Sequence, residues 1–131
     1  MEQEKIDILL ATYNGGKYLE EQIDSILNQT YQNFNLLVSD DCSTDATRDI
    51  LEQYVKKDPR IKVYKQEKNL GYVKNFEFLL TKVKNNYYML ADQDDVWLPM
   101  KIEKSLEALK RENADLVYGD LEVVDENLKM L

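Results

Sequence analysis

The chain has 131 residues, 44% of them apolar and 32% charged, enough for one domain with its own core and too short for two ordinary ones. Its 17 basic and 25 acidic side chains leave a net charge of −8, a field that repels nucleic-acid phosphates and anionic membrane, so no nucleic-acid partner is expected. There is no histidine, which excludes a Ser-His-Asp triad, a Cys-His pair and any histidine-containing zinc site within the chain.

Ile6 to Ala11 is a nearly continuous apolar run, interrupted by Asp7, and reads as a buried strand followed by a turn at Thr12-Tyr13-Asn14-Gly15-Gly16. Leu19, Ile23, Ile26 and Leu27 then line one face of a helix from about Lys17 to Gln29. Phe34 to Ser39 is the second strand. Ser43 or Thr44 is positioned to cap the next helix, with Asp45 in its first turn, and Ala46, Ile50, Leu51, Tyr54 and Val55 form its apolar face. Asp58-Pro59 stops it.

Ile61 to Tyr64 is a third strand, and Asn69-Leu70-Gly71 opens a helix whose inward face is Val73, Phe76, Leu79, Leu80 and Val83. Tyr87 to Ala91 is the fourth strand. Pro99 suits the first turn of the following helix, with Ile102, Leu106 and Leu109 facing inward. Asp115 to Val124 returns to strand character, with a bend or bulge at Gly119. Strands alternating with helices in this way imply crossover units: an α/β fold with a mostly parallel central sheet and helices on both faces. The chain stops soon after its last strand-like run without an evident closing element, so a fragment of a longer enzyme is expected; a complete small domain is the alternative.

One cysteine, Cys42, cannot form an internal disulfide, and Met-Glu-Gln-Glu-Lys at the start has no apolar signal core behind it. No run approaches the length of a membrane span. These features fit a reducing, cytoplasmic setting. Cys42 beside Asp41 is a poor nucleophile, because a neighbouring carboxylate raises a thiol pKa.

In an open parallel sheet, ligands bind beyond the carboxyl ends of the strands. Three polar loops lie on that edge: Thr12 to Gly16, Asp40 to Thr44 and Asp92 to Trp97. Asn14-Gly15-Gly16 could present backbone N–H groups to a ligand, although it lacks the third glycine of a dinucleotide fingerprint. Asp41 could accept a hydrogen bond from a base imide or amide while Asp40 holds the loop. Asp92-Gln93-Asp94-Asp95 crowds three carboxylates, a repulsion that a divalent cation would cancel. Magnesium or manganese, with its preference for oxygen ligands and substrate phosphates, suits such a loop. Trp97 either closes over a sugar or anchors the next helix. Of Tyr72, Lys74 and Asn75, Lys74 carries the charge that could reach a phosphate.

Taken together, the chain resembles the nucleotide-binding half of a family 2 inverting glycosyltransferase with the GT-A fold. The matching pieces are Ala11-Thr12-Tyr13-Asn14-Gly15 with Tyr18-Leu19, Ser25-Ile26-Leu27-Asn28-Gln29-Thr30-Tyr31, Val38-Ser39-Asp40-Asp41-Cys42-Ser43-Thr44-Asp45, Asn69-Leu70-Gly71, and Leu90 through Pro99. The wording is most similar to bacterial rhamnosyltransferase-type members that build surface polysaccharides. The resemblance implies that Thr12, Tyr13 and Asn14 line the nucleotide pocket and that Asp41 bonds a uracil or thymine imide. It also implies a D-x-D element of Asp92, Gln93 and Asp94, with Asp94 on a Mg2+ or Mn2+ ion that bridges the donor diphosphate and Asp92 near the ribose or sugar. Lys74 falls where the family often has a basic residue. The donor would be a UDP- or dTDP-linked sugar and the acceptor a carbohydrate or lipid-linked glycan at the inner face of the membrane. No residue matches the family's general base, which would lie beyond residue 131.

Three other classes compete on the residues alone, one of them a purely structural or interaction domain in which Asp92 and Asp94 would tolerate substitution with no change in ligand affinity. A Rossmann-like module that binds nucleotide without catalysis would do so independently of a divalent ion. A phosphatase using an aspartate nucleophile would place it after the first strand, where this chain has Thr12-Tyr13-Asn14.

Overall fold

The computed structural model describes residues 4–117, 119, 127 and 128. Its elements run β1 (Ile6–Thr12), α1 (Gly16–Leu27), β2 (Phe34–Asp40), α2 (Thr47–Lys57), β3 (Ile61–Lys65), α3 (Tyr72–Leu80), β4 (Tyr87–Asp92) and α4 (Lys101–Arg111). The strands form one parallel sheet in the order β3-β2-β1-β4. Strand order therefore reverses at β1: the chain steps outward to β2 and β3, then returns to pair β4 on the opposite side of β1.

Alternation along the strands separates two cores. Ile6, Ile8 and Leu10 of β1 and Phe34, Leu36 and Val38 of β2 pack with Leu19, Ile23 and Ile26 of α1, Leu51 and Tyr54 of α2, and Ile102 and Leu106 of α4. The intervening positions Leu9, Ala11 and Leu37 pack with Phe76 and Leu79 of α3. Three helices thus cover one face and α3 the other. Burial of each large side chain contributes roughly 1.5–3 kcal/mol over leaving it in water. β1 is buried along its whole length, as expected for the strand that both layers share.

Several boundaries differ from the sequence expectation. Val73 and Leu80 are exposed, because only the stripe through Phe76 and Leu79 of a nine-residue α3 meets the sheet. Val55 of α2 is likewise exposed. α2 begins at Thr47, and its end is satisfied by Asp45, whose Oδ1 accepts the Thr47 N–H at 2.9 Å; Ser43 and Thr44 are used elsewhere. Pro99 lies before α4 rather than within it, its carbonyl accepting the Thr30 N–H at 2.8 Å. Most of the strand expected over Asp115 to Val124 lies outside the described residues, as do the neighbours of Gly119; Asp115, Leu116 and Val117 are not in a strand.

Asp7, the one charge within β1, is 2% exposed and accepts the N–H groups of Lys84 (2.9 Å) and Asn85 (3.0 Å). The Asn85 and Asn35 side-chain amides add two more donors. Burial pushes its carboxyl up, but these hydrogen bonds outweigh burial and hold it below the ordinary 3.8. A depressed folded-state pKa stabilises fully above the unfolded value, and that contribution is lost as pH falls through the folded one. Asp7→Ala should therefore cost about 2 kcal/mol at neutral pH, and the cost should shrink below pH 3.8. Urea unfolding at pH 7 and at acid pH checks this; an equal cost at both would contradict it.

Candidate functional site

A cleft of about 410 Å³ opens beyond the carboxyl ends of β1, β2 and β4, where the strand order reverses. Ala11, Thr12 and Tyr13 line it from β1, and Asp41 from the end of β2. Asn69, Gly71, Tyr72 and Asn75 line it from the entry to α3. The end of β4 supplies Asp92, Gln93 and Asp94. Its volume falls within the range of about 300–1,000 Å³ common for small-molecule sites.

Register explains the convergence. Thr12 is paired with Asp40 and Ala11 with Asp92, so all three loops leave the sheet at one level. Asp40 is fully buried and turned inward: it accepts from Thr12 Oγ1 (2.8 Å), Ser43 N–H (3.0 Å), Ser43 Oγ (2.6 Å) and Arg48 Nε (2.7 Å). Asp41 faces the cleft instead. Its carboxylate accepts the N–H groups of Leu70 (2.6 Å) and Gly71 (3.0 Å), and its own N–H donates to the Thr12 carbonyl at 2.9 Å. Gly71 has φ +87°, a conformation that favours glycine, and it lets the chain reach Asp41 and still turn into α3. The Asn69 amide, in its hydrogen-bonding orientation, adds a third donor at 2.6 Å, and a carboxylate has about four lone-pair sites, so Asp41 retains one towards the cleft.

The loop after β1 differs from expectation. The N–H groups of Asn14, Gly15 and Gly16 do not face a ligand: they donate to Ser43 Oγ (2.9 Å), Thr47 Oγ1 (3.1 Å) and Asp45 Oδ2 (3.1 Å). Asn14 Oδ1 in turn accepts the Thr44 N–H at 2.8 Å. Asn14 thus ties two loops together and is not among the residues lining the cleft. Burial raises the Asp45 carboxyl, and the bonds from Thr47 and Gly16 more than reverse that, holding it low.

Gln93 clamps Tyr13 from across the cleft, accepting its N–H at 2.8 Å and donating to its carbonyl at 2.9 Å. A Cβ at Gly15 would come within 2.2 Å of Gln93 Oε1, so glycine there makes room for the clamp. Asp92 Oδ1 accepts the Tyr72 hydroxyl at 2.9 Å. Burial, then the Asp92 hydrogen bond and the charges of Asp92, Asp94 and Asp95, push the Tyr72 hydroxyl pKa up. Burial followed by the charges of Asp92 and Asp94 likewise raises the Asp95 carboxyl, with Lys101 opposing. The acidic loop is therefore under like-charge repulsion.

Lys74 is exposed on α3 and does not line the cleft; its neighbours Tyr72 and Asn75 do. Asn75 is 2% exposed, accepts from Ser39 Oγ at 2.6 Å and donates to the Ser39 carbonyl at 2.9 Å, which pins α3 to β2. Trp97 is 6% exposed in the larger core, so it anchors the chain ahead of α4. Cys42, at φ +64°, has its Sγ 3.8 Å from the Glu67 carbonyl and does not line the cleft.

Among the described residues, no three His, Cys, Asp or Glu side chains converge into a metal cage. Asp92 and Asp94 on the cleft wall make a partial set of hard oxygen donors. That set fits Mg2+ or Mn2+, which is usually held by one or two carboxylates with waters and substrate phosphates completing the shell.

Residues 7–129 match the model of glycosyl transferase family 2. The chain belongs to that family. It is 38% identical over 102 residues to TuaG of Bacillus subtilis, which is named for teichuronic acid biosynthesis; the match covers 78% of this chain and 40% of that protein. It is 30% identical to WfgD of Escherichia coli, named as a UDP-Glc:alpha-D-GlcNAc-diphosphoundecaprenol beta-1,3-glucosyltransferase, over 97% of this chain and 49% of that one. The crystal structure of Staphylococcus aureus TarS superposes with a TM-score of 0.77 at 26% identity, covering 92% of this chain and 25% of TarS. The family 2 chain thus spans less than half the length of each of these proteins, and its parallel sheet between helices is consistent with the GT-A fold.

Sequence reasoning missed Gln22 and quoted Ser25 and Gln29 only within a family-matching run, without a role; all three hold the acidic loop from beneath. Their spacing of three and four residues along one helical stripe is the signal that could have found them.

Proposed function

We propose that the cleft holds the nucleoside diphosphate of a UDP- or dTDP-linked sugar, and that the whole protein transfers the sugar to an acceptor hydroxyl with inversion. The convergence of Asp41, Asp92 and Asp94 on one cleft at the reversal of strand order carries this reading. Asp41 accepts the base imide N–H. Tyr13, held at the rim by Gln93, borders the base and ribose, and Asp92 lies towards the ribose or sugar. Thr12 shapes the floor through Asp40, while Asn14 acts by holding the rim. Lys74, from the outer face of α3, contributes long-range attraction for the diphosphate. Asp94, with Asp92 beside it, would hold Mg2+ or Mn2+, which when bound supplies charge compensation for the leaving diphosphate.

The acceptor is a carbohydrate or lipid-linked glycan of cell-surface polysaccharide synthesis, in keeping with the names of TuaG and WfgD. We assign residues 1–131 to the nucleotide-sugar-binding part, and the acceptor-binding half with its general base to sequence beyond residue 131, so this chain alone binds donor without transferring sugar. On this reading the site lies in the cytoplasm, at the inner face of the membrane in the full-length protein. The rhamnosyltransferase-type assignment rests on the wording of the matching sequence pieces taken together, and a dTDP preference would support it.

Calorimetric titration with UDP, dTDP and CDP tests the reading. Uracil and thymine present an N–H donor where cytosine presents an acceptor, so UDP or dTDP should bind about tenfold tighter than CDP. Equal affinity for all three, or no saturable binding, would contradict it.

A further inference from the structure

The polar side of the α1 segment does work that the nucleotide reading does not require. Gln22 and Gln29 are 0% and 2% exposed, although nothing in their type favours burial. Gln22 Nε2 donates to the Asp92 carbonyl, and the single Ser25 hydroxyl proton lies between the Gln22 backbone carbonyl at 2.7 Å and Gln22 Oε1 at 3.0 Å. Ser25 Oγ accepts the Trp97 N–H at 3.0 Å. Gln29 donates to the Leu98 carbonyl at 2.6 Å and accepts the Ile102 N–H at 3.0 Å. The acidic loop is thereby fixed at its first residue, at its far end and at the start of α4. Within it, the Asp95 N–H donates back to the Asp92 carbonyl at 3.2 Å, so the atom that Gln22 holds is also the pivot of the turn carrying Asp94. An apolar residue at position 22 would fill the same space but leave that pivot free to shift.

We propose that Gln22 is a positioning residue: by holding the Asp92 carbonyl it fixes the turn that presents the Asp92 and Asp94 carboxylates to a divalent cation shared with the donor diphosphate. It touches no ligand itself. This rests on the reading of the cleft given above.

The test compares the chain with Gln22→Met, which keeps side-chain length and removes both hydrogen-bonding atoms. UDP dissociation constants are measured in Mn2+ and in chelator, together with the emission of Trp97, the one tryptophan in the chain. The metal-dependent gain in affinity should fall by about tenfold or more, as for other groups that orient metal ligands. Metal-free UDP affinity, read through Asp41, should stay within about twofold because the two positions share no partner. Trp97 emission should stay at the parent's wavelength, because Ser25 keeps both the Trp97 N–H and the residue-22 carbonyl; a red shift would mark a general loosening and overturn the proposal. A full metal-dependent gain in Gln22→Met overturns the proposal, and so does a parallel fall of both affinities, the signature of a general structural role. A parent chain that binds UDP with no metal-dependent gain refutes the cation reading of the cleft, and the proposal with it. If Gln22→Met does not fold, Ser25→Ala removes the hydroxyl that contacts Gln22 together with the acceptor of the Trp97 N–H and should reproduce the same contrast at smaller amplitude; an undiminished gain there also overturns the proposal.

Discussion

Asp40→Ala should lower thermal stability more than any other single change in the site. Its carboxylate is fully buried and takes four donors, among them Arg48, whose side chain also donates to the Gln66 carbonyl at 2.7 Å. Losing the acceptor leaves its buried donors unpaired at a cost of about 2–3 kcal/mol, less than for a fully buried ion pair because the Arg48 side chain is 32% exposed and can turn to water. That is a large part of the roughly 5–15 kcal/mol that holds a domain folded, and it should lower Tm on the order of 10 °C. Ser43 is the link that passes this on to the cleft, since its hydroxyl contacts both Asp40 and the Asn14 N–H. A melt followed by circular dichroism decides the point. An unchanged Tm would mean that the burial of Asp40 is not what joins the first two loops.

Asp41→Ala should abolish base recognition with a smaller effect on folding. The carboxylate it removes lines the cleft and holds Leu70 and Gly71, so both the imide partner and the entry to α3 are lost together. Hydrogen bonds to a charged acceptor contribute about 1.5–3 kcal/mol, which corresponds to roughly 10–150-fold in UDP affinity. Calorimetry measures it directly. An unchanged dissociation constant would remove Asp41 from the nucleotide site.

Much of this architecture was legible in the sequence, and the errors have a common origin. The four strands were read from apolar runs, and each proved one residue longer, ending at Thr12, Asp40, Lys65 and Asp92. Backbone ladders do not stop where hydrophobicity does: Thr12 still pairs with Asp40, and Asp40 with Lys65. Those extra residues are the ones that aim the functional loops. Only the apolar face of α1 was read from its periodicity; that Gln22, Ser25 and, just past the helix, Gln29 are covered by the loop after β4 is a tertiary fact that helical periodicity does not encode. The same applies to the loop after β1, where glycines suggestive of a ligand nest give their N–H groups to Thr47 at the start of α2 and to Asp45 just before it. Asp41 and the acidic loop were legible because carboxylates released at strand ends are a local signal. Their placement on one edge was expected from the crossover pattern, and the return of β4 to β1 is what brings them into one cleft.

The central claim is that the crowded carboxylates after β4 serve a cation shared with a nucleotide diphosphate. Titrating UDP into the chain and into Asp94→Asn, each in Mn2+ and in chelator, tests it most directly. The parent chain should gain about tenfold or more in affinity with Mn2+, and Asp94→Asn should lose that gain while keeping its metal-free affinity. A gain that survives in Asp94→Asn, or UDP binding indifferent to the metal in both, would contradict the account.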